Sequence, residues 1–75
     1  MKDLIEFIAA SIVDDPEQVK VREVRSGSAV ILQLKVAPED MGKVIGRQGR
    51  VAQAMRSLLK VASAKEGARA SLEIG

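Results

Sequence analysis

Between residues 19 and 36 the chain abandons helical periodicity for strict alternation and then returns to it, and this switch limits the fold more than any other feature. Val19 and Val21 alternate with polar residues in "VKVREVR", "SGS" at 26–28 offers a turn, and Val30, Leu32, Leu34 and Val36 alternate again in "AVILQLKV". Alternation puts every second side chain on one face, so two such runs joined by a short turn predict an antiparallel hairpin. Ahead of it, "DLIEFIAASIV" spaces Leu4, Ile5, Ile8, Ala9 and Ile12 as an amphipathic helix, with Asp3 expected at the N-cap and Phe7 in the core. "DDPEQ" ends that helix, because proline disfavours helical backbone in the residue before it and Asp14 and Asp15 suit a turn. Those two aspartates are too few ligands to predict a magnesium site.

After the hairpin, Pro38, Glu39 and Asp40 mark a helix start, with proline in the first turn and acids at the positive end of the helix dipole. A short helix through about Ile45 is expected. Gly46 and Gly49 interrupt it, and a longer helix resumes at Arg50, with Val51, Met55, Leu58 and Ala62 as its core stripe. Leu59 falls on one shoulder of that stripe, and Ala54 and Val61 widen it on the other. Gly67 stops the helix, and "ARASLEI" alternates through Ala70, Leu72 and Ile74 as a third strand. The order α-β-β-α-α-β predicts one α+β domain over residues 1–75, a three-stranded sheet with three helices packed on one face. The other face is left wet, with Lys20, Arg22, Arg69, Ser71 and Glu73 upon it. Ile31 shares that face with Gln33 and Lys35, either as an isolated exposed residue or as part of a contact surface.

A 75-residue chain buries a marginal core, which makes dimerisation an expectation. Cysteine and histidine are both absent, removing disulfides, thiolate nucleophiles, imidazole bases and nearly all transition-metal sites. No acid lies between Asp40 and Glu66, where a phosphate-cleaving enzyme would hold magnesium, and there is no nucleophile elbow. We therefore expect no catalysis, no cofactor and no metal. Apolar runs break well short of bilayer-spanning length and no signal peptide is evident, which predicts a cytoplasmic protein. With Phe7 the only aromatic, a base-stacking platform such as an RRM is disfavoured.

The formal charge of +2 is unevenly placed. Met41 to Lys65 holds six basic residues, Lys43, Arg47, Arg50, Arg56, Lys60 and Lys65, and no acid, while the rest of the chain holds six basic and ten acidic residues. Such a segment is either a solvated helix face or a polyanion site. The loop "GRQG" at 46–49 lies inside it. Neither G-x-x-x-x-G-K-[ST] nor a G-x-G-x-x-G following a strand is present, so the known nucleotide loops are not matched. What remains is G-x-x-G between two helices. Glycines permit a tight turn and let a sugar-phosphate chain approach without meeting a Cβ. The amides opening the next helix point partial positive charge at phosphate, and Arg47 and Arg50 bring full charges with paired donors. Gln48 is able to donate or accept there.

"VIGRQGR" resembles the V-I-G-x-x-G motif of KH domains, and the helix-first order with the third strand last is similar to the type II, or prokaryotic, arrangement. The resemblance covers essentially all 75 residues. It implies a single-stranded RNA-binding module with a non-aromatic groove. Gly46, Arg47, Gln48 and Gly49 would clamp the backbone of about four nucleotides, while Ile45 and Ala54 would help to floor the groove, with the second strand on its far side. Arg50 would add charge, as would Lys43 and Arg56 unless they are solvated helix residues. Small free-standing bacterial members of this family are regarded as global RNA binders and RNA chaperones. They act with a larger KH protein and are linked to cell length and cell-wall homeostasis. A different class of function stays open beside this one: an assembly or adaptor module docking or dimerising through Ala54, Leu58 and Val61, with little affinity for RNA.

Overall fold

The computed structural model describes residues Met1–Gly75. Helix α1 (Lys2–Ile12) leads through a 3₁₀ turn at Pro16–Gln18 into strands β1 (Lys20–Ser26) and β2 (Ala29–Lys35). A second 3₁₀ turn, Pro38–Asp40, opens α2 (Met41–Ile45), after which come the loop, α3 (Arg50–Lys65) and β3 (Arg69–Ile74). The fold is α+β, in the α-β-β-α-α-β order that the hydrophobic periods predict.

The hairpin forms as expected. β1 and β2 pair antiparallel from Lys20↔Lys35 to Ser26↔Ala29, which leaves Gly27 and Ser28 as a two-residue connection. Gly27 takes φ 60, and Ser28 keeps a negative φ. This is the pattern of a type II′ turn, whose twist suits that of the strands it joins. β2 occupies the centre of the sheet and pairs parallel with β3, from Ala29↔Arg69 to Leu34↔Ile74. A parallel pair needs a long crossover, and α2, the loop and α3 together make it. The residues expected to bind nucleic acid thus lie within the connection that completes the sheet.

Val21, Val30, Leu32, Leu34 and Leu72 point from the sheet into the core, where Ile5 and Ala9 of α1, Val44 of α2 and Met55 and Leu59 of α3 meet them. α1 packs on β1 and β2, α3 packs on β3, and α2 lies against α1 and α3. Toward the turn, the inward side of β1 gives way to charge: Arg25 donates to Glu23 at 2.7 Å and holds its carboxyl below the ordinary value of 4.5.

Three expectations are corrected. Asp3 does not cap α1: the helix already starts at Lys2, behind Met1, and Asp3 sits in its first turn. Phe7 is not in the core but 73% exposed. It follows Ile5 by two residues, about 200° around a helix, so both cannot face inward. The long helix is also rotated from its expected setting. Its buried residues are Ala52, Met55, Leu59 and Ser63, with Val51 and Ala62 half-buried, whereas Leu58 is 49% exposed. Two small side chains, Ala52 and Ser63, let α3 come close to its neighbours, and the Ser63 hydroxyl is satisfied by donating to the Lys60 carbonyl at 3.0 Å. Ile31 proves half-buried and directly opposite Val24, so the wet face carries an apolar pair rather than a lone residue.

Candidate nucleic-acid interface

The turn from α2 to α3 is built from three positive φ angles. Gly46 takes φ 76, ψ 175, a region that is essentially glycine-only; Gln48 takes φ 57, ψ 28; and Gly49 takes φ 72, ψ 16. The two glycines serve different ends. A Cβ on Gly46 would lie 2.5 Å from Val51 Cγ2 and 2.9 Å from the Val51 backbone nitrogen, so the space it leaves is filled by the first turn of α3. A Cβ on Gly49 would meet nothing within 4 Å. Of the two, only Gly49 leaves room for an outside chain to come close to the backbone.

Hydrogen bonds brace the turn from within. The Gly46 N–H donates to Gly42 at 2.9 Å, the Gly49 N–H to Gly46 at 3.2 Å, and the Arg50 N–H to the Arg47 carbonyl. The Gly49 and Arg50 amides are therefore already engaged within the turn. Charge at the loop comes mainly from side chains. Arg47, Gln48 and Arg50 are exposed, and neither arginine pairs with a carboxylate.

Ile45, the last residue of α2, is 39% exposed beside the loop, and Ala54 is exposed one turn into α3. The four concavities of the surface take in none of Ile45, Ala54 or residues 46–49. Lys43 and Arg56 have other engagements. Lys43 forms an ion pair with Asp14, and Arg56 reaches the Leu72 carbonyl on β3 at 3.4 Å.

Arg50, Ala54, Leu58 and Val61 run along one exposed stripe of α3, opposite its buried stripe. Leu58 and Val61 are 49% and 59% exposed, so the apolar shoulder begins at the basic loop and continues down the helix.

One buried polar residue carries no mark in the sequence beyond its acidic character. Asp40, 2% exposed, accepts the backbone N–H groups of Asp14 at 3.2 Å and Asp15 at 3.1 Å. It ties the turn after α1 to the start of α2, the helix that leads into the loop, and the exposed Lys43–Asp14 pair spans the same two segments.

A mixed three-stranded sheet backed by helices, with a G-x-x-G turn joining two of them, defines a KH-type domain. The sequence profile described as "KhpA/KhpB, KH domain" matches residues 2–74, and the chain belongs to that family. A relative named RNA-binding protein KhpA in Clostridium acetobutylicum is 57% identical over 99% of both chains. Proteins of the same name in Clostridium perfringens and Aquifex aeolicus are 55% and 42% identical, over 99% of this chain and 99% and 94% of theirs. No solved structure gave a match. No helix is long and apolar enough to cross a membrane.

Proposed function

We propose that this chain is a single-stranded RNA-binding protein that clamps the sugar-phosphate backbone with residues 46–49, with Arg47 and Arg50 on the phosphates and Ile45 and Ala54 offering small apolar contact to bases. The observation carrying this reading is the open space over Gly49, flanked by two arginines that no carboxylate neutralises. The relatives' name, RNA-binding protein, supports it. Lys43 and Arg56 contribute to the field more than to contact, because each is engaged elsewhere. Phosphate contacts position a strand without naming its sequence, so sequence selectivity is weak.

By resemblance, the cellular role is that of an RNA chaperone and post-transcriptional regulator in the cytoplasm, with no catalytic activity, acting with a KhpB-type partner in cell-length and cell-wall homeostasis. A second reading, self-association or docking through Ala54, Leu58 and Val61, is favoured by the exposure of Leu58 and Val61 and is compatible with the first.

Fluorescence anisotropy with a labelled single-stranded RNA tests the loop. An Arg47→Asp, Gln48→Asp double variant should lose binding with its circular dichroism unchanged. The parent's log-log salt slope should be about −2 to −3 for three or four neutralised phosphates. Unchanged binding by the variant refutes the clamp.

A further inference from the structure

The register sets Lys20 of β1 directly opposite Lys35 of β2 on the outer face of the sheet. Directly opposed side chains have Cβ atoms about 5 Å apart, and like charges in that position destabilise a sheet. Arg22 and Arg69 share the face, and none of these four cations pairs with a carboxylate. The one acid on the face, Glu73, accepts a hydrogen bond from Gln33 at 3.1 Å. Lys20, Arg22 and Lys35 line a shallow concavity of about 550 Å³ together with Gln33 and Glu73. A second hollow, of about 450 Å³, shares Lys20 and Lys35 and continues over Ala37 and Pro38 to Met41, the first residue of α2. From Met41 to Ile45, α2 advances only about 6 Å, and Gly42 on the way has open space beyond its backbone. The second hollow thus joins the paired lysines to the start of α2, and the loop follows the far end of that helix.

We propose that the outer sheet face is a second phosphate-binding surface for the nucleic-acid strand held at the loop, with Lys20 and Lys35 as its principal contacts. This rests on the RNA-binding reading above. The occupant follows from charge and shape. Lys20, Arg22 and Lys35 line these hollows against Glu73, with Glu39 exposed beside Pro38, and an open surface with three unpaired cations matches a flexible polyanion. A phosphate between Lys20 and Lys35 would also relieve their mutual repulsion. A strand longer than the four nucleotides of the clamp would follow α2 onto the sheet, which lets a domain with a short primary site hold a longer RNA.

Chemical-shift titration of the full chain separates the two surfaces. A tetranucleotide should shift amides of residues 46–50 alone, whereas an RNA of about twelve nucleotides should also shift Lys20, Arg22 and Lys35. For a Lys20→Gln, Lys35→Gln double variant, affinity for the longer RNA should fall several-fold and the salt slope become shallower by about 1.4. Tetranucleotide binding should hold, and melting should occur at no lower temperature than the parent's. Loop shifts with no sheet shifts, or an unaltered slope, overturn the proposal and leave the clamp standing. No shift at either surface overturns both. Equal losses for short and long RNA also refute a separate surface. A polyglutamate peptide that binds Lys20 and Lys35 as tightly as the RNA would assign the face to an acidic protein instead.

Discussion

Gly46 and Val51 pack so closely that a single added carbon on the glycine would stand 2.5 Å from the valine side chain. Gly49, three residues on, has no such neighbour. Alanine at Gly46 meets both a glycine-only backbone region and a backbone nitrogen that has to move, so the expected cost is about 3 kcal/mol or more. Alanine at Gly49 incurs only the left-handed penalty, about 1–2 kcal/mol, but puts a methyl where RNA would approach. Urea denaturation should rank the two in that order. RNA titration of the folded Gly49→Ala variant should show weakened binding.

Asp40 is the only acceptor found for two amides on a turn that precedes it by some 25 residues. Asp40→Ala should lose about 2 kcal/mol, a fall in Tm on the order of 10 °C for a domain of this size. Asn, which keeps one acceptor oxygen, should recover part of it. Equal melting of parent and Asp40→Ala would show that water replaces the carboxylate without loss.

Val61 projects from α3 beside Leu58 and Ala54. Val61→Asp should leave circular dichroism unchanged while lowering the sedimentation coefficient of a dimeric parent to that of a monomer. A coefficient that stays at the dimer value would remove this stripe from the interface.

Phe7 and Ile5 make opposite predictions although both are large apolar residues of α1. Phe7→Ser should alter stability by no more than about 0.5 kcal/mol, while Ile5→Ala should cost about 2–5 kcal/mol. Thermal melts of the two variants distinguish them directly.

The hairpin, the short helix ending at Ile45 and the break at residues 46–49 were all legible in the sequence, because period and turn chemistry mark them locally. The rotation of α3 was not. Hydrophobicity ranks Leu58 above Ser63, yet the helix buries Ser63 and exposes Leu58 because close approach favours the smaller side chain. Phe7 misled for a related reason: an apolar run that nearly encircles a short helix does not say which side faces inward. Asp40 looked like a dipole-compensating acid at a helix start, since its partners lie on a distant turn. At the loop, the glycine pattern pointed to the right segment but hid a division of labour, in which Gly46 answers to Val51 and Gly49 to the outside.

The parallel partnership of β2 and β3 also governs the order of assembly. The hairpin closes through neighbours in the chain, with only Gly27 and Ser28 between its strands. β3 instead pairs with residues some 40 positions earlier, and non-local pairing of this kind slows folding because chain entropy is lost before contacts compensate for it. The crossover that carries the G-x-x-G turn is closed at its far end when β3 docks. A chain interrupted before residue 69 would lack the parallel partner of β2 and leave the sheet with two strands. The turn and the closing strand therefore belong to one topological unit, so that a change which weakens the β2–β3 pairing also bears on the setting of residues 46–49.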